Sequence, residues 1–223
     1  MNTTLPNVRY DQQGLACTAS AAAVDALNAA ISDYFGWTGD PIKQLSQAAQ
    51  YDPQCALAHT SLATIYMLNG VRGDAPEVTA AIACASKLSG GISEREQKHL
   101  LAAQSLASGE IIRATDIWEN ILIDHPCDAF ALRFAHDSYF YLGHSGSIRD
   151  FVAKVLPYWD KNRPNYGFVL GQYAFGLEEC GDYDAAFRMG SQALERNPLD
   201  AWATHAVAHV YEMQTRQQEG VTF

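Results

Sequence analysis

The segment Thr204-His205-Ala206-Val207-Ala208-His209-Val210-Tyr211-Glu212 places two imidazoles four residues apart and a carboxylate three residues beyond the second. On an α-helix, at about 100° per residue, the side chains of His205, His209 and Glu212 fall within about 60° of one another. Two histidines at that spacing can chelate a divalent metal with a carboxylate as third ligand, from Glu212 or from a neighbouring repeat, and His205, His209 and Glu212 are the candidate metal set on the helix itself. Without a metal, a carboxylate beside an imidazole raises its pKa and orients it as a general acid or base; the catalytic candidates are then His205, His209, Glu178 and Asp137. A third use of the same groups needs no chemistry at all, because carboxylates lining a groove bind basic peptide segments. The segment lacks the glutamate of an H-E-x-x-H metalloprotease helix, and the chain has no glycine-rich phosphate loop, dinucleotide fingerprint or G-x-S-x-G elbow.

The elements that must position these groups are legible as a repeat. Gly181-Asp182-Tyr183, Ala174, Ala186, Ala193 and Pro198 have the spacing of a tetratricopeptide repeat, and the same frame set back from Pro126 meets Ala102, Gly109, Ala114 and Trp118. Pro53 and Pro126 are 73 residues apart and Pro126 and Pro198 are 72 apart, each about two units of such a repeat. Small residues at these places let the two helices of a hairpin cross closely, and glycine supplies the turn. The expected fold is therefore all-α, a superhelix (α-solenoid) of about five or six stacked hairpins in which each unit is stable only against its neighbours. In such a solenoid the first helix of each hairpin lines the concave face. Counting from Ala129, Gly167 and Ala201 turns Arg133, Asp137, Glu178, Glu179, His205, His209 and Glu212 toward one groove, which Phe140 and Tyr141 wall while Tyr139 enters the core.

Read in order, residues 1–15 form a polar N-terminal arm and 16–223 the solenoid, with the last repeat incomplete. Ala16 to Tyr34 has helical periodicity, Asp40-Pro41 caps and starts a second helix, and Ser93-Glu94-Arg95-Glu96 has the form of a capping box. Helices are expected over Ala56 to Asn69, Ala75 to Leu88, Ala129 to Gly143, Gly146 to Leu156 and Ala201 to Gln214, with an irregular insertion from Pro157 to Pro164. Thr215 stands where the repeat calls for a turn glycine. An unfinished last repeat exposes an apolar helix face, which predicts self-association through the C-terminal end. His136 sits at a helix-packing position and reads as a core histidine, and His59, His99, His125 and His144 have no partner by spacing. Trp37, Trp118, Trp159 and Trp202 read as packing residues at hairpin joints.

Composition narrows the partners. With 48% hydrophobic and 18% charged residues, 223 residues can bury a substantial core. A net charge of −10 argues against a nucleic-acid surface, which needs clustered Lys and Arg. Cys17, Cys55, Cys84, Cys127 and Cys180 are odd in number and never form a C-x-x-C pair, so most are expected to be small buried fillers in a reducing compartment rather than a disulfide framework. No run near 20 residues is continuously apolar and no signal-peptide pattern opens the sequence, so no membrane partner is expected and the chain reads as cytoplasmic.

Four strings are more specific than repeat positions: A-F-A-L-R-F-A-H-D (129–137), V-L-P-Y-W (155–159), G-L-E-E-C-G-D-Y (176–183) and H-A-V-A-H-V-Y-E-M-Q (205–214). Through them the chain resembles the N-terminal half of the tetratricopeptide repeat protein 38 family, whose members are roughly twice as long. The resemblance implies an α-solenoid and assigns no activity; the family usually has glycine where Thr215 stands. The functional expectation is a scaffold whose acidic, histidine-bearing groove captures a protein or peptide segment. The alternative is an enzyme of specialised metabolism acting on a small molecule in a His/Glu pocket, with or without a divalent metal. No other cofactor is expected.

Overall fold

The computed structural model describes residues 8–223 and is all-α apart from one small hairpin. The described residues fall into two compact units, one comprising Gly39–Ser138 with the chain up to Tyr34, the other Tyr139–Phe223 with Phe35–Thr38.

The first unit opens on two short antiparallel strands, β1 (Val8–Tyr10) and β2 (Ala16–Thr18), with Arg9 opposite Cys17. Asp11 closes the turn: its Oδ1 accepts from the backbone N–H groups of Gln13 and Leu15, both at 2.9 Å, an Asx-type substitute for a backbone turn. This corrects the expected arm, of which residues 1–7 lie outside the described residues. It also moves the start of the first helix, because Ala16–Thr18 is strand and α1 (Ala21–Gly36) begins behind Ser20. The local alanine pattern favours helix there, but the backbone of β2 is claimed by a partner distant in sequence. Thr18 donates from its N–H and Oγ1 to the two carboxylate oxygens of Glu96, at 2.9 and 2.8 Å.

Helices α2 (Pro41–Tyr51), α3 (Ala56–Leu68), α4 (Pro76–Leu88), α5 (Glu94–Ala107) and α6 (Ile111–Asp124) follow. Asp40 caps α2 by accepting from Lys43 N–H, with Pro41 in the first turn. The capping box of α5 is complete, Ser93 accepting from Glu96 N–H while the Glu96 carboxylate receives Ser93 N–H. Helix α3 packs against its hairpin partner α4 and against α5 of the next hairpin. That stacking buries Ala63, Val78 and Ala81, small enough for close approach.

The boundary between the units falls within α7 (Ala129–Leu142). The second unit continues with α8 (Ser145–Val155), a single 3-10 turn at Leu156–Tyr158, then α9 (Tyr166–Glu179), α10 (Tyr183–Arg196), α11 (Ala201–Met213) and the short α12 (Gln217–Thr222). Helix α9 contacts α8, α10 and α11, α10 also contacts α11, and glycines stand where neighbouring helices come close. A Cβ on Gly176 would stand 2.7 Å from the Arg149 backbone of α8, and one on Gly190 would meet Val207 of α11 at 2.6 Å. The tryptophans behave as packing residues, with Trp118, Trp159 and Trp202 buried, except that Trp37 remains 60% exposed while its ring leans on Trp202.

A single turn geometry recurs through the chain. Gly70, Gly109, Gly143 and Gly181 have positive φ, and after each helix two bonds repeat. The residue itself donates to a carbonyl three positions back, and its successor to one five positions back, as in Gly181 N–H to Glu178 O and Asp182 N–H to Leu177 O. This is the Schellman closure, which satisfies the last carbonyls of a helix. Thr215 makes the same two bonds at φ +57° without being glycine. No helix among the described residues is long and apolar enough to cross a membrane.

Candidate functional site

Helix α11 presents His205 and His209 four residues apart, as their spacing requires, and its N-terminus is fixed by Asp200, whose Oδ1 accepts from Ala203 N–H at 3.0 Å. The two Nε2 atoms stand 3.0 Å apart. Behind them, α9 brings Glu178 up to the other nitrogen of His209, with Oε2 3.4 Å from Nδ1. A carboxylate at Nδ1 requires a proton there, so the neutral His209 ring turns an Nε2 lone pair toward His205. The order is thus carboxylate, imidazole, imidazole, running from the buried Glu178 outward to partly exposed rings.

Aromatic side chains hold the outer imidazole. The His205 ring stacks on Trp202 at 6.1 Å between centroids, 15° from parallel, and lies 5.4 Å from Phe175. Phe140, 44% exposed, extends the wall through a tilted contact with Phe175 and an edge contact with Trp202. Burial and the neighbouring His209 charge push the His205 pKa below the ordinary histidine value, partly offset by Glu179. Burial also lifts Glu178 above the usual carboxylate range, with His209 pulling it down and the Glu179 charge pushing it up.

Among the described residues, Glu178, Glu179 and His209 can each offer a donor atom within 4.8 Å of the others, a group that could hold a metal ion. Glu212, expected as the third ligand, is exposed and lies outside this group. A carboxylate from the neighbouring repeat, Glu178 of α9, reaches His209 through the packing of α9 on α11.

Arg133 and Asp137 belong to the first unit and are buried rather than open to a partner. They pair with each other at 3.0 Å, Tyr34 donates its hydroxyl to Asp137 Oδ2 at 2.6 Å, and the Arg133 guanidinium lies 5.2 Å from the Tyr34 ring centroid. Although burial opposes it, the Arg133 charge and hydrogen bonds from His136 and Tyr34 hold the Asp137 carboxyl below its ordinary pKa. This is an internal ion pair, with Asp137 committed as an acceptor. His136 is fully buried, as its packing position suggests. Tyr139 is in the core and Tyr141 is exposed beside Phe140.

One polar centre was not expected. Asp128, the N-cap of α7 through its bond from Ala131 N–H, also receives Arg95 Nη1 at 2.7 Å and meets His99 Nε2 at 3.0 Å, all three side chains buried. Arg95 reaches on to the carbonyl of Ala16 in β2 at 2.9 Å. The signal lay in the strings after the repeat prolines, C-A-L-A (55–58), D-A-F-A (128–131) and D-A-W-A (200–203), which mark one capping position three times. The sequence matches no known family model.

Proposed function

We propose that the chain is a tetratricopeptide-type scaffold whose second unit docks a basic or amphipathic protein segment against α9 and α11. The observation that carries this reading is the pairing of acid with open aromatic surface: Glu178 and Glu179 close to His209, and the exposed edge of Phe140 among Phe175, Trp202 and His205. Carboxylates supply attraction and register for Lys or Arg, and the aromatic wall supplies apolar area and a face for cation–π contact. The net charge of −10 steers such a partner toward the protein. The free thiols at Cys84 and Cys180, neither of them buried, fit work in the reducing cytoplasm.

The test is fluorescence anisotropy with a labelled amphipathic Lys/Arg peptide in EDTA, against the same peptide with glutamate at the basic positions. Binding to the first alone, weakened by salt, is expected. Glu179→Gln with Glu212→Gln should weaken it about fivefold, the worth of two exposed ion pairs at about 0.5 kcal/mol each. Equal binding of both peptides sinks the reading. The alternative, a catalytic pocket for a small molecule, is favoured by one observation, the aligned order Glu178, His209, His205.

A further inference from the structure

We propose that His205 and His209 form a two-nitrogen pincer for a divalent transition-metal ion, both binding through Nε2, with Glu178 fixing the His209 ring from behind. This inference goes beyond the docking reading and stands without it.

The geometry carries the argument. Two nitrogens at zinc-ligand distance from one ion stand about 3.3 Å apart at the tetrahedral angle. The observed separation of 3.0 Å needs only a few tenths of an ångström of opening, which χ adjustment on a helix surface supplies. Both donors sit on one regular helix, so the spacing is built into the backbone rather than into a loop.

The second observation is the carboxylate. Glu178 is 6% exposed, and its Oε2 forms no well-aligned hydrogen bond while lying 3.4 Å from His209 Nδ1. A buried acceptor at the far nitrogen of a ligating imidazole fixes the tautomer, orients the ring and raises its basicity. A surface histidine pair without such backing would have freely turning rings. Here the inner ring is held by Glu178, and the outer ring is held by Trp202 and Phe175. Glu179, exposed beside them, offsets the ion's charge without being required as a ligand. Imidazole donors suit zinc, copper or nickel over magnesium or calcium, and two protein ligands leave positions for water or an incoming group.

The experiment is calorimetric titration of zinc chloride into the full chain after stripping with EDTA and dialysis, with circular dichroism and melting curves on every variant. Stoichiometric binding is expected for the parent chain. His205→Ala and His209→Ala should each weaken it at least tenfold, and Glu178→Gln by about tenfold or more, the usual effect of losing the acceptor behind a ligating histidine. Glu212→Gln should leave it unchanged. His205→Gln, which keeps more of the side-chain bulk against Trp202, guards against an alanine variant that fails to fold. Absence of stoichiometric heat overturns the proposal. So does a folded His205 variant that binds zinc as tightly as the parent, since the ion would then rest on Glu178, Glu179 and His209. Because no peptide is present, failure here leaves the docking reading standing, and failure of docking in EDTA leaves this one standing.

Discussion

Asp128 and Asp200 stand 72 residues apart and cap equivalent helices in the same way, each accepting from the backbone N–H three residues on, at 2.9 and 3.0 Å. Their second oxygens are used differently. Asp128 Oδ2 faces Arg95 and His99, whereas the Asp200 carboxylate lies so close to α9 that a Cβ on Gly171 would stand 2.6 Å from its Oδ2. One repeat position has thus been made an ionic centre in the first unit and a close-packed cap in the second.

Replacing Asp128 by Ala should be among the most damaging single changes in the first unit. It removes a cap and leaves the buried Arg95 guanidinium without its carboxylate, a loss of about 3 to 5 kcal/mol. Asp128→Asn keeps the cap acceptor and loses the charge, so it should fall between. Urea unfolding of the three proteins checks this. Equal stability of the Ala and Asn variants would show that the ion pair, not the cap, is what matters.

Thr215→Gly should stabilise the chain by up to about 1 kcal/mol. Thr215 is β-branched and held at φ +57°, where a Cβ crowds the backbone, while Gly181 makes the same closure at φ +80° without that strain. Gly181→Ala should move stability the other way by a similar amount. A rise in melting temperature for the first variant and a fall for the second is the expected pair of results.

How much of this could be read in advance follows the range of the interactions. Asp40 capping α2, the Ser93–Glu96 box and the turn glycines are local, and sequence spacing alone located them. The contact of His205 with His209 is also local, one turn of α11. Glu178 shares the expected groove, but its place directly behind His209 depends on how α9 lies on α11, which spacing along one helix does not give; that spacing points only to Glu212. The strand Ala16–Thr18 does not show in the local alanine pattern because Glu96 and Arg95, almost 80 positions later, bind its backbone. Arg133 and Asp137 share a helix face as expected, but burial with Tyr34 turned a groove pair into an internal one.

The histidine centre should give the second unit a pH signature. His205 has its pKa lowered in the folded chain by burial and by His209, so the unfolded chain takes up this proton first. Its contribution to stability is complete above the ordinary value near 6.5 and is lost as the pH falls through the lower folded value. Glu178, raised by burial, works in the opposite sense: its contribution is present below about 4.5 and is lost as the pH rises through its folded value. Melting curves between pH 8 and about 5 should therefore fall less steeply toward acid in His205→Gln than in the parent. Parallel curves would mean that His205 titrates alike in both states.

Metal and basic peptide should compete. Both readings use the acid beside His209, and an ion on the Nε2 pair would place two positive charges within a few ångströms of the carboxylates that attract Lys or Arg. At that distance the repulsion survives physiological salt, because the separation is well inside the screening length of about 8 Å. Saturating zinc should weaken the labelled basic peptide at least about fivefold, equivalent to losing the attraction assigned to two exposed ion pairs. In His205→Ala, where the pincer is broken, the same zinc should change that variant's own affinity in EDTA little. Anisotropy titrations of both proteins with and without zinc decide the matter. An unchanged peptide affinity in zinc-loaded parent chain would place the peptide away from α11, and a zinc effect surviving in His205→Ala would place the ion away from the pincer.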